Sequence, residues 1–225
     1  MSDKPKTKEA ENAFLFIDGN NFYHILKCHQ LDGRLSVSPG EIDFSKLSKV
    51  ICDFFGVEHS KTIYYNSVPD IRDGEEAYYK HMQFLDDLKK LPRLEVKTRK
   101  LQKHSTEEIL RSRRRKIGDL DLCGKCKPLI EKNCAECIGD FKKKEKGIDV
   151  MIAVDMIEAA IKDKCDCCIL LSGDADFVPA LELVQKNGKK AFSSAMPRGY
   201  STLLREKFKF FTLYPDLLEE NCLKA

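Results

Sequence analysis

Four aspartates carry the chemistry that this sequence can offer: Asp18 in Phe16-Ile17-Asp18-Gly19-Asn20-Asn21, Asp149 in Gly147-Ile148-Asp149, and Asp174 with Asp176 in Leu171-Ser172-Gly173-Asp174-Ala175-Asp176. Carboxylates crowded together repel one another, and a divalent cation relieves the repulsion. Oxygen ligands with no histidine among them suit a hard ion, Mg2+ or Mn2+, better than zinc. An ion of that kind lowers the pKa of a bound water, polarises a phosphoryl oxygen and shields a leaving group, which is phosphate chemistry. Asp155 follows Asp149 by six residues, about 600° around a helix and so roughly 120° off its face, which makes it a weaker member of the set. Asn21 is expected to hydrogen-bond a carboxylate and fix its orientation. Ser172 either does the same or is a plain turn hydroxyl. Each acid alone also has a structural reading, since Asp-Gly forms turns and Asp before a helix caps it.

The elements that must position these acids read as alternating strands and helices. Ala13 to Ile17 is a continuous apolar run, as expected of a strand buried on both faces, and a loop begins at Asp18. Helical spacing follows over Phe22 to Gln30 and over Asp43 to Phe55, then a strand over Lys61 to Asn66, a helix over Asp73 to Leu91 and a strand over Arg93 to Leu101. After residue 145 the pattern resumes with a helix over Ile148 to Ile161. The strand Cys168 to Leu171 follows, then a helix starting at about Asp176 with Pro179 in its first turn. Strands at Lys190 to Ser194 and Phe208 to Leu213 flank a short helix at Ser201 to Glu206. This order predicts an α/β protein, a three-layer α/β/α sandwich on a mostly parallel sheet. In that class of sheet, sites form outside the carboxyl ends of the strands, where all four acids fall.

Between about residues 102 and 145 the alternation lapses, which marks an insertion. It contains Cys123-x-x-Cys126 and Cys134-x-x-Cys137, paired elements expected to hold one structural Zn2+ through four thiolates, with a redox pair or an iron–sulfur cluster as the competing readings. It also contains Arg111, Arg113, Arg114, Arg115 and Lys116, and later Lys142, Lys143 and Lys144. From Arg99 to Gly147 there are 15 Lys and Arg against 8 Asp and Glu, a net of +7, so the rest of the chain carries −4 of the total +3. Basic charge gathered in one segment predicts a polyanionic partner, here a nucleic-acid backbone gripped without regard to sequence. The plainer reading is a solvated helix face.

With 225 residues, 42% apolar and 33% charged, the chain has the composition of a folded globular protein rather than a disordered one. No apolar stretch has the length of a membrane span. The segment 1–12 is polar and lysine-rich, expected to be a flexible tail rather than a signal peptide, and 216–225 is expected to be a second tail. A cytoplasmic location and reduced or metal-bound cysteines follow as expectations. Cys165, Cys167 and Cys168 lie at the entrance to a buried strand and read as packed thiols.

At the three acidic stretches the chain resembles the NYN domain family, the branch of the PIN-like nuclease superfamily that includes LabA-like proteins. The resemblance runs through Phe16 to Asn21, Lys146 to Val150 with Asp155 downstream, and Leu171 to Pro179, and extends over most of the chain from Ala13 to about Tyr214, so that 13–215 is expected to form the nuclease domain. It implies a PIN-like fold and a Mg2+-dependent (or Mn2+-dependent) endoribonuclease that leaves a 5′-phosphate and a 3′-hydroxyl, with RNA as partner and no nucleotide cofactor. Asp18, Asp149, Asp174 and Asp176 match the family's acidic positions, Asn21 its motif asparagine, and Asp155 a recurrent acidic position. An RNA-binding adaptor with the same fold and little turnover is the alternative. A phosphatase of the haloacid dehalogenase type ranks below both, because Asn20 stands where its first motif needs an aspartate.

Overall fold

The computed structural model of the chain describes residues 10–71, 74–100, 111, 114–135 and 147–224. The chain divides into two compact units, one made of residues 1–99 with 147–225 and the other of residues 100–146.

The first unit is built on a six-stranded sheet in the order β3-β2-β1-β4-β5-β6. Its strands are β1 (Asn12–Asp18), β2 (Glu58–Val68), β3 (Leu94–Lys100), β4 (Cys167–Leu171), β5 (Lys190–Ala195) and β6 (Lys209–Thr212). The pairs β1–β2, β1–β4, β4–β5 and β5–β6 are parallel. Parallel neighbours need helical crossovers. These are α1 (Gly19–Leu31), α2 (Phe44–Phe55) and α3 (Glu75–Lys89) on the first half of the chain. On the second half, after the α4 helix (Cys126–Ala135) of the other unit, they are α5 (Ile148–Ile161), α6 (Val178–Lys186) and α7 (Thr202–Lys207), and α8 (Pro215–Asn221) follows the last strand.

The period-two geometry of the central strands makes the three layers. Leu15 and Ile17 of β1 and Ile169 and Leu171 of β4 point into one core with Phe22 and Leu26 of α1, Leu47 and Ile51 of α2 and Leu85 of α3. Phe16 and Leu170, one residue out of step, point into a second core with Ile148, Ile152 and Met156 of α5 and Leu181 of α6. Cys165, Cys167 and Cys168 are all buried thiols, with Cys168 among the packed residues of that second core.

Element boundaries follow from capping and backbone chemistry. The helix expected from Phe22 begins at Gly19, because Asp18 caps it by accepting from the Asn21 N–H at 3.0 Å. The turn after β4 starts as a 3-10 segment, Ala175–Phe177, before α6 becomes regular. Pro179 has no N–H to give to the Ala175 carbonyl, so the tighter bond from Val178 to that carbonyl closes the turn.

Both expected tails need correction. The sheet already includes Asn12, whose N–H donates to Asp166 at 3.0 Å, while residues 1–9 lie outside those described. At the other end α8 buries Leu218 and is followed by Cys222, both fully buried. The Cys222 carbonyl accepts from the Asp43 N–H at 2.7 Å, and Leu223 forms an antiparallel bridge with Ile42. Pro215 at the start of the helix and two adjacent leucines are enough to fold a short amphipathic turn onto α2.

In the second unit, residues 114–118 are helical and the chain turns through Cys123 to Cys126 into α4. Among the described residues no helix is long and apolar enough to cross a membrane. Leu218→Ala is expected to lower unfolding free energy by about 2–5 kcal/mol, as for other buried leucines. Denaturant titration checks this, and an unchanged midpoint would mean that the last ten residues are a tail after all.

Candidate functional site

The sheet order places one crevice. From β1 the chain moves outward through β2 and β3, then returns to the other side of β1 with β4 and continues to β6. Neighbouring crossovers therefore diverge between the carboxyl ends of β1 and β4, the place where doubly wound sheets bind ligands. Ile17 is in register with Leu171, so Asp18 and Ser172 are the next residues out on adjacent strands.

Those two side chains are bonded. The Ser172 hydroxyl donates to Asp18 Oδ2 at 3.1 Å and accepts from the Asp174 N–H at 3.3 Å. Asp18 is 5% exposed and Ser172 2%. Asp174, half-buried, caps the 3-10 turn by accepting from the Asp176 N–H at 2.9 Å. The structural readings of these acids thus hold: each is a cap. Capping uses one oxygen of each, and Ser172, directly after β4, bonds both Asp18 and the Asp174 main chain.

Asn21 works differently from expectation. Its main-chain N–H bonds Asp18, whereas its side-chain carbonyl accepts from the Gly173 N–H at 3.2 Å. It therefore pins the β4 turn to α1 and orients Asp174 through the backbone. Gly173 is obligatory there, since a Cβ would sit 1.2 Å from the Gly199 carbonyl oxygen. Gly19, likewise, brings the backbone against Tyr64, where a Cβ would lie 2.4 Å from the ring. Asn20 reaches the end of β2, donating to the Ser67 hydroxyl at 3.0 Å.

Asp149 and Asp176 are both exposed. Asp149 stands in the first turn of α5, which is preceded by Gly147 with φ of 84°, a left-handed conformation that favours glycine. Ile148 beside it shares the core of Phe177, so α5 starts against the turn that carries Asp176. Asp155 is committed elsewhere: its Oδ2 accepts from the Tyr65 hydroxyl at 2.7 Å and from Lys97 Nζ at 2.8 Å. Burial first, and the bond to Asp155 second, raise the Tyr65 pKa and keep the phenol a donor. Tyr65 and Lys97 were not signalled by any sequence motif; Ser172 was, by standing directly before Gly173-Asp174.

Among the described residues no three His, Cys, Asp or Glu side chains converge into a ready cage for an ion. Mg2+ keeps several waters and takes one or two carboxylates rather than a closed protein cage, so the residues here that would hold it are Asp18 and Asp174.

Of the four cysteines expected to hold Zn2+, Cys123 and Cys126 flank the turn that leads into α4. Cys137 and the Cys134 side chain lie outside the described residues. Cys123 is exposed and its thiol is held below the usual range, chiefly by the Cys126 N–H. Of the basic residues, Arg111, Arg114, Arg115 and Lys116 are exposed, while Arg113 and Lys142, Lys143 and Lys144 lie outside the described residues.

The NYN domain family model matches residues 12–213. No curated protein matches the chain. Among solved structures, a protein of unknown function from Vibrio parahaemolyticus is 20% identical with a TM-score of 0.53, over 97% of this chain and 99% of that one. At that identity the likeness concerns the fold alone. A structure from work on Sir2 enzymes aligns over 94% of this chain and 90% of its own at 10% identity, but with a TM-score of 0.37 it carries no argument.

Proposed function

We propose that this chain, which belongs to the NYN domain family, is a divalent-cation-dependent endoribonuclease whose acidic site is centred on Asp18 and Asp174. NYN domains are of the nuclease type, so hydrolysis of RNA phosphodiesters is the reaction class that the family favours. The observation that carries the reading is the Asp18–Ser172–Asp174 chain at the junction of β1 and β4. Nothing in plain binding of a polyanion calls for buried negative charge at the ligand crevice.

Mg2+ or Mn2+ held by Asp18 and Asp174 would supply a water of lowered pKa and a polarised phosphate oxygen. The chain's own residues do the rest. Ser172 fixes the rotamer of Asp18 by hydrogen bonding Oδ2, and Asn21 fixes the turn that carries Asp174 through Gly173. Asp149 and Asp176 add exposed carboxylates from α5 and the 3-10 turn. Asp155 is a positioning residue that ties α5 to β2 and β3 through Tyr65 and Lys97. Arg114, Arg115 and Lys116 present exposed positive charge suited to the phosphate backbone.

A second reading, an RNA-binding module without turnover, draws on the exposure of Asp149 and Asp176, which leaves the acidic site open. One assay separates the two: single-stranded and structured RNAs incubated with Mg2+, Mn2+ or EDTA. Cutting that needs the cation, that Asp174→Asn abolishes and that Ser172→Ala slows about 10–100-fold is expected, the last being the usual effect of removing a partner that orients a metal ligand. Binding without cutting would replace the enzyme by the module. Replacing Arg114, Arg115 and Lys116 together with alanine is expected to weaken RNA binding and to reduce the salt slope by about 2, at ~0.7 per neutralised phosphate of a single strand. An unchanged slope in a filter-binding series would remove these residues from the RNA contact.

A further inference from the structure

Three thiols stand at the amino end of β4, in Cys165-Asp166-Cys167-Cys168, and the acidic site uses none of them. All three are buried. Side chains alternate along a strand, so Cys167 packs into the first core, whereas Cys165 and Cys168 belong to the second. There the two sulfurs meet at 3.6 Å. A disulfide holds its sulfurs about 2.05 Å apart, so bonding this pair asks for an approach of roughly 1.6 Å. The Cys168 thiol also donates to the Met156 carbonyl of α5 at 3.8 Å.

The two thiols differ in character. Cys165 is held below the usual thiol range, first by its hydrogen bond with Cys168, then by the Phe14 N–H and the Lys189 ammonium, against burial and the Asp166 charge. The same bond, together with burial, pushes Cys168 up. Cys165 is therefore the sulfur that carries thiolate, the nucleophilic form, and Cys168 the one that keeps its proton. Cys165 also stands nearest the surface. Residues 161–164 before it are all exposed and turn at Asp163, whose φ is 55°.

We propose that Cys165 and Cys168 form a reversible oxidation site for a small hydroperoxide, closing to a disulfide while Cys167 stays a free thiol. Local opening of the exposed turn admits the peroxide without unfolding the core. The Cys165 thiolate attacks one peroxide oxygen and the O–O bond breaks. The other oxygen leaves as water or an alcohol, taking the proton that Cys165 gave up. Cys165 is then a sulfenic acid. Cys168 Sγ attacks that sulfur, the S–O bond breaks, and the oxygen leaves as water with the Cys168 proton. Two thiols have lost two electrons and one peroxide has gained them. A dithiol reverses the bond by exchange. The site is at the opposite end of β4 from Ser172 and Asp174, so it is independent of the nuclease reading.

Mass mapping of the full, reduced chain tests this. Hydrogen peroxide is added until Cys28, an exposed thiol, begins to oxidise. The chain is then unfolded in urea and its remaining thiols are labelled with N-ethylmaleimide. Trypsin releases residues 165–186, which contain all three cysteines. That peptide is expected to carry one label, on Cys167, and three labels once dithiothreitol has been applied before labelling. Cys167→Ala is expected to keep the bridge, and Cys168→Ala to leave a Cys165 sulfenic acid that dimedone traps. Three labels on the peroxide-treated wild-type peptide would overturn the proposal, as would a bridge that includes Cys167. The wild-type map decides the matter even where a variant fails to fold.

Discussion

The site depends on a single hydroxyl. Ser172 directly follows the strand that returns beside β1, and its Oγ both donates to Asp18 and accepts the N–H of Asp174. A buried carboxylate needs hydrogen-bond donors in place of the water it loses, and Asp18 obtains them from Ser172 and from the Asn21 N–H. The same bonds hold the carboxyl ends of β1 and β4 in register, so that fold and acidic site share one set of contacts. Gly173 completes the arrangement by admitting the Gly199 carbonyl where any side chain would collide.

Most of the sheet was legible because each central strand is a short, continuous apolar run and each helix has a cap or a stop beside it. Helix α5 was read to its true limits, Ile148–Ile161, and the strand at Cys168 proved to begin one residue earlier. The departures have local causes. Strand β2 starts as early as Glu58 on main-chain pairing with β1 at positions whose side chains carry no alternation signal. The C-terminal helix was missed because seven residues give too little periodicity, although Leu218 and Cys222 are core positions.

The site was legible in part for the same reason. Motif order pointed to Asp18 and Asp174, and the topology brings them to one crevice. It did not indicate that Asn21 would act through the Gly173 backbone, or that Asp155 would be taken by Tyr65 and Lys97 from two other strands. Such partners are set by tertiary packing, which spacing along the chain does not encode.

The central claim is that Asp18 and Asp174 together hold a divalent cation. Thermal unfolding of the wild-type chain and of Asp174→Asn with increasing Mn2+ tests it most directly, since a ligand bound only to the native state adds stability as its concentration rises, about 2.7 kcal/mol at a hundredfold excess over Kd. The account predicts a melting temperature that climbs with Mn2+ in the wild type and stays flat in the variant, which keeps its cap and its fold. An equal rise in both proteins, or none in the wild type, would contradict it.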